Sequence, residues 1–215
     1  MKDRIASNRE EQVAGIQSYY AFQAKIYDAT RWTFLYGRQS LLQHLPLSPE
    51  APARILEVGC GTGVNLRQLG QKFPHAELFG LDVSRDMLVQ ARKNCASLGS
   101  RLQLIEAPYE KGDRFKGQMD LILFSYSLTM INPQWKELLE QVPHDLKPGG
   151  IVAVVDFHKA HYHFYYRFMR SNHVCLDGHL VPYLMQHFDT QLCRVKPGLA
   201  NVWSYFMYIG GRPKV

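Results

Sequence analysis

Apolar residues recur along this chain at two spacings, and the switch between them outlines the elements. Val13, Ile16, Tyr20, Ala24 and Tyr27 fall on one helical stripe. Ser7 with Glu10 makes a capping box ahead of that stripe, so residues 7–27 read as a helix. A second helix covers 30–45 and ends before Pro46. From residue 54 onward, short apolar runs take over. RILEVG (54–59), AELFGLD (76–82), RLQLIEA (101–107), MDLILFS (119–125) and IVAVVDF (151–157) read as buried strands. Helices are predicted between them: one over 64–72, and one capped by Ser84 and running to about 97. A third has Asn132 as cap and Pro133 in its first turn, and reaches about 146, where KPGG (147–150) stops it. QLCRV (191–195) and WSYFMYIG (203–210) add two late strands.

Strands that alternate with helices predict an α/β fold: a seven-stranded, mostly parallel sheet with helices on both faces. Its 215 residues fit one domain. Within it, 1–46 form an N-terminal helical cap and 52–157 the core. Residues 158–190 form a helical insertion after strand five, and 191–215 the C-terminal strands. Ligands of such sheets sit beyond the carboxyl ends of the strands. That directs attention to residues 59–63, 82, 107–109, 125–127 and 156–158.

Composition narrows the class. The longest apolar stretch, LILFSYSLTMI (121–131), is too short to span a bilayer core of ~30 Å. MKDRIASNREEQ is polar and mixed in charge, unlike a signal peptide. The four cysteines form no CxxC pair, which argues against a zinc ribbon or disulfide scaffold and for a reducing compartment. Net charge is +6 but uneven: 17 Lys/Arg against 16 Asp/Glu in residues 1–146, then 8 against 3 in 147–215. Five of the six excess charges thus lie in the last third. A local basic excess suits an anionic partner, and it equally suits scattered, solvated charge.

The chemistry-bearing motif is EVGCGTG (57–63). Gly59, Gly61 and Gly63 let the backbone turn tightly and approach a ligand. Asp82 ends the second strand about 20 residues later, where a carboxylate can accept both ribose hydroxyls of an adenosine. The loop lacks the third-glycine spacing of GxGxxG. With GLDVSRDML and the KPGG turn, it resembles the class I S-adenosylmethionine-dependent methyltransferases over residues 52–157. That resemblance implies S-adenosylmethionine as cofactor, S-adenosylhomocysteine as product, and no metal. It also implies a set of cofactor contacts. Gly59, Gly61 and Gly63 line the methionine part, Glu57, Cys60 and Thr62 are further cofactor contacts, and Asp82 holds the ribose. Val83 and Met87 border the adenine, Ala107 and Pro108 flank it, and Ser125 lies near the sulfonium with Tyr126 beside it. Tyr27 closes over the cofactor, and Glu106 or Tyr109 is a candidate partner of the adenine amino group.

Three further stretches bear on the acceptor: AKIYDATRWTFLYGR (24–38), FSYSLTMI (124–131) and VDFHKA with MRSNHVCLDGHLVPYL (155–184). They resemble the betaine-lipid N-methyltransferases, which trimethylate the head group of diacylglyceryl-homoserine. More loosely they resemble the bacterial phosphatidylethanolamine N-methyltransferases. An aminolipid substrate at a membrane surface is the implied partner, with a methyltransferase of a soluble small molecule as the alternative. Localisation would be cytoplasmic, peripheral to the inner face of the cell membrane. No nucleic-acid partner is expected, because FSYSLTMI stands where an N-P-P-Y/F-type motif would follow strand four.

Methyl transfer to an amine depends mostly on positioning, helped by a base and by aromatic faces for the resulting cation. His158, just past strand five, is the candidate proton acceptor, with Tyr126 and Tyr27 as further catalytic candidates. Tyr19, Arg31, His158, Asn172, His173, Asp177 and His179 are candidate acceptor-binding residues. Each has a plainer reading: packing for the tyrosines, a helical ion pair for Arg31, and a hydrogen-bonded structural histidine for His158. HVCLDGH (173–179) gathers two histidines, a cysteine and an aspartate, but without a recognised ligand spacing. It is therefore expected to be an acceptor wall or a bracing turn around Asp177-Gly178, not a metal site.

Overall fold

The computed structural model describes residues 35–171 and 174–212. The predicted helix 7–27 and the first part of 30–45 lie outside them. Elements run α1 (Arg38–Gln43), β1 (Arg54–Val58), α2 (Val64–Lys72), β2 (Glu77–Asp82), α3 (Arg85–Asn94), β3 (Leu102–Glu106) and β4 (Met119–Ser125). The chain continues through α4 (Trp135–Asp145), β5 (Leu146–Ala160), α5 (His163–Ser171), α6 (Leu180–His187), β6 (Asp189–Pro197) and β7 (Trp203–Gly211).

Seven strands form one sheet in the order β3-β2-β1-β4-β5-β7-β6. β1 to β5 pair in parallel, and β7 lies antiparallel to both β5 and β6. The order reverses at β1, so the loops after β1 and β4 open side by side at the carboxyl edge. The continuous apolar character of the central strands follows from burial on both faces. One core cluster includes Ile55, Leu66, Leu69, Leu78, Leu121 and Ala153; the other includes Leu56, Ile122, Phe124, Val152 and Phe206. Leu66 and Leu69 bring the apolar face of α2 onto the sheet, each burial stabilising by about 1.5–3 kcal/mol.

Two predicted helices differ from the structure within the described residues. Of the helix predicted over 30–45, residues 35–37 are not helical: Gly37 has φ +82° and the helix seen among the described residues is α1, Arg38–Gln43. A Cβ on Gly37 would lie 2.4 Å from the Tyr205 ring, so the close approach to β7 demands glycine there. The helix predicted from Asn132 begins at Trp135. The Asn132 side-chain amide donates to the Thr129 carbonyl (2.7 Å) instead of capping a helix, and the Asn132–Pro133 bond is cis.

Candidate functional site

The loop after β1 is built on left-handed glycines. Gly59, Gly61 and Gly63 have φ of +70°, +52° and +79°. Two backbone N–H groups, of Gly59 and Cys60, donate to the Leu81 carbonyl at 2.8 and 3.0 Å, lashing the loop to β2. A Cβ on Gly59 would lie 2.9 Å from Ser127 Cβ, and one on Gly63 would lie 2.7 Å from Cys95 Sγ. The loop is thus wedged between the turn after β4 and helix α3. Asn94 donates to the Thr62 carbonyl (2.9 Å) and Asn65 to Glu57 Oε1 (2.6 Å), fixing its flanks.

Asp82 closes this frame. Its Oδ2 accepts the Gly61 N–H at 2.8 Å and its Oδ1 accepts the Ser84 N–H at 2.9 Å. Ser84 in turn caps α3 through the Met87 N–H. Val83 is half-buried and Met87 buried; Ala107 is half-buried and Pro108 exposed past β3. The Ala107 N–H donates to the Asp82 carbonyl at 3.2 Å. The structure therefore brings Glu57, the glycine loop, Asp82, Val83, Met87, Ala107 and Pro108 to one edge of the sheet.

Ser125 and Ser127 complete the edge from β4. Both hydroxyls are buried and have no hydrogen-bond partner among the described residues. Buried hydroxyls are normally paired, so two orphans beside the glycine loop fit a site that takes a polar ligand. Cys60 is buried, and burial followed by the Glu57 and Asp82 charges holds its thiol well above the usual range.

Two of the candidate tyrosines make specific structural contacts. Tyr109, a candidate partner of the adenine amino group, is buried and donates its hydroxyl to Asp145 Oδ2 at 2.8 Å. Burial and that carboxylate push its phenol upward, leaving exposed Glu106 as the remaining candidate. Tyr126, expected to be catalytic, sits at φ +56° with its N–H on the Val155 carbonyl (2.8 Å). Its ring packs edge-on against Phe157, and its hydroxyl donates to the Tyr36 carbonyl (2.7 Å). Burial raises this phenol, and the hydroxyl ties residues 35–37 to the sheet. A non-glycine residue held at positive φ is strained, and here the strain falls at the ligand edge.

His158 lies in an irregularity of the β5–β7 pairing between Phe157 and Lys159. Its Nδ1 is buried without a partner among the described residues. Burial, then Lys159 and His161, lower its pKa, which keeps the imidazole neutral and able to accept a proton. Asp156, missed from the sequence, is the fully buried neighbour. It accepts the Thr129 hydroxyl at 2.5 Å and the Phe157 N–H at 2.8 Å on Oδ1, and the Thr129 N–H at 3.2 Å on Oδ2. It pins the turn after β4 to the end of β5. A lone charge in IVAVVDF was the available signal.

Between β5 and β6 lie α5 and α6, with residues 174–179 leading into α6. Cys175 N–H donates to the Thr129 carbonyl (2.9 Å), setting this segment over the turn after β4. Asp177 accepts from His179 Nδ1 and from Cys175 Sγ, the latter at 3.3 Å. On α5, Tyr165 and Met169 face inward, with Tyr165 stacked 5.3 Å from Trp203. Tyr162, Phe164 and Phe168 are exposed beside Arg167 and Arg170. Tyr19, Tyr27, Arg31, Asn172 and His173 lie outside the described residues. No described helix is long and apolar enough to cross a membrane.

Comparison with known proteins agrees with this architecture. A family model described as a methyltransferase domain matches residues 55–150. A trans-aconitate 2-methyltransferase of Deinococcus radiodurans is 38% identical over 111 residues, covering 50% of this chain and 40% of that protein. The chain spans about two fifths of the length of the curated relatives it matches. Among solved structures, a Burkholderia thailandensis 1,6-didemethyltoxoflavin N1-methyltransferase with bound S-adenosylhomocysteine superposes with a TM-score of 0.72. It is 15% identical and is matched over 95% of this chain and 90% of that one. The [4+2]-cyclase SpnF superposes at 0.76 with 14% identity, over 93% and 96% of the two chains. These structural likenesses are of fold, and the cyclase shows that the fold hosts more than one chemistry.

Proposed function

We propose that this chain, which has the Rossmann-like fold of the class I methyltransferases, transfers a methyl group from S-adenosylmethionine to a small acceptor. The observation that carries the proposal is the left-handed glycine loop tied through the Gly61 N–H to the Asp82 carboxylate. The carboxylate's acceptor capacity suits ribose hydroxyls, and the Ser125 and Ser127 hydroxyls supply unpaired polar atoms on the facing side. S-adenosylmethionine, when bound, supplies an electrophilic methyl on a sulfonium. The chain's part is to hold the two reactants in line and to exclude water.

The acceptor would enter between the turn after β4, the end of β5 and the segment 174–187. His158, neutral and at that edge, would take the proton that an amine must shed. An aminolipid head group is one acceptor class. Supporting it are the resemblance of the acceptor-side stretches and the exposed Tyr162, Phe164 and Phe168 beside Arg167 and Arg170, a combination suited to an anionic bilayer surface. A soluble small molecule is the second class, and the trans-aconitate 2-methyltransferase likeness favours it. The matched family region ends at residue 150, before α5 and α6, so that match leaves the choice open.

Purified chain with methyl-labelled S-adenosylmethionine would be offered vesicles containing diacylglyceryl-homoserine or phosphatidylethanolamine, and separately trans-aconitate. Label in lipid selects the first class and label in trans-aconitate the second. Failure to bind S-adenosylhomocysteine at all would overturn the methyltransferase reading itself.

A further inference from the structure

We infer that Cys175, Asp177 and His179 form a binding site for one divalent transition-metal ion of the zinc class, on the acceptor side of the sheet. One ligand atom from each of the three lies within 4.8 Å of the others. The sequence spacing, i, i+2 and i+4, matches no common zinc motif, and the fold is what makes it converge. Gly178 sits at φ +78°, where a Cβ would meet Lys159 Cε at 2.4 Å, so the chain folds back tightly between Asp177 and His179.

The donors are chemically complementary to such an ion. A thiolate, a carboxylate and an imidazole are the three zinc-binding side-chain types, and together they select against the all-oxygen preference of calcium and magnesium. Three protein ligands leave a fourth tetrahedral position for water or for an acceptor oxygen.

The frame is already built. Val174 and Leu176, which flank Cys175, are buried at 7% and 3% exposure and anchor the backbone on either side of the thiol. Cys175 N–H is held by the Thr129 carbonyl, and Asp177 pairs with Lys159 in an isolated β-bridge. The His179 ring rests 4.5 Å from Trp135, with its Nε2 buried and lacking a partner among the described residues. Without an ion, the thiol and ring protons are shared onto the Asp177 carboxylate. On coordination, the Cys175 thiol releases its proton to solvent, and the His179 ring places its proton on Nε2.

The test is independent of methyl transfer. Chelator-treated protein is titrated with cobalt(II) and read by its thiolate-to-cobalt charge-transfer absorbance. One equivalent should bind, zinc should displace it, and Cys175→Ser should remove the band. Absence of the band, or its persistence in Cys175→Ser, overturns the inference. Should a variant fail to fold, the unmodified chain still decides: zinc should slow alkylation of Cys175, read by peptide mass spectrometry, by about tenfold or more while leaving Cys193 unaffected. Equal alkylation with and without zinc overturns the site.

Discussion

The Gly61 N–H donates to Asp82 Oδ2 at 2.8 Å, joining two residues 21 positions apart into one ligand edge. Asp82→Ala should therefore remove both an acceptor for ribose and the clamp on the loop. S-adenosylhomocysteine affinity is expected to fall by ~10–100-fold, the worth of a charge-assisted hydrogen bond or two. Titration calorimetry reads this directly, and affinity within twofold of the parent would refute the assignment.

Gly59→Ala should be costly at the same edge. It adds a Cβ at 2.9 Å from Ser127 Cβ and puts a side chain at φ +70°. Holding a non-glycine residue in that region costs about 1–2 kcal/mol before any clash. Urea unfolding should show that loss together with weakened cofactor binding, and an unchanged midpoint would contradict it.

Tyr126→Phe should separate bracing from catalysis. The Tyr36 carbonyl loses its donor and is left part-buried, at a cost of about 1–3 kcal/mol in unfolding free energy. Cofactor affinity should hold and turnover should persist. A turnover loss of more than about 100-fold with stability intact would restore a catalytic phenol.

Asp156 predicts an unusual acid limb. Burial raises its carboxyl from 3.8 to about 6, its hydrogen bonds offsetting only part of that. Between these values the folded protein holds a proton that the unfolded chain has released. Its contribution to stability is thus full below the unfolded value and declines as pH rises toward 6. The decline is on the order of 3 kcal/mol, at 1.36 kcal/mol per pKa unit. Urea midpoints from pH 4 to 7 should lose this component in Asp156→Asn, and parallel curves for the two proteins would refute it.

His158 predicts a limb in activity. Its lowered pKa keeps it neutral at pH 7, so methyl transfer should fall only below the usual histidine range. His158→Ala should lower the rate by about 10²–10⁴-fold and abolish that limb. An unchanged pH–rate profile would show that solvent takes the proton.

Much of this was legible in the residues. The apolar runs 54–58, 77–82, 119–125 and 203–210 gave strands because burial on both sheet faces leaves a continuous hydrophobic signature. EVGCGTG and Asp82 announced the ligand edge because glycine is needed wherever backbone turns left-handed. The start of α4 was misplaced because the Asn132 side chain serves Thr129 and not the helix.

What the sequence by itself determined is the element order, the parallel core and the glycine–aspartate edge, all encoded in local periodicity and backbone conformation. What only the tertiary structure decided is where polar side chains spend their hydrogen bonds. Tyr126 reaches Tyr36 across 90 residues, Asp156 grips Thr129 across 27, and Cys175 N–H is held by the Thr129 carbonyl. Periodicity fixes which face of an element is buried, but the partner of a buried polar atom is set by packing between elements distant in the chain, and no local spacing records it.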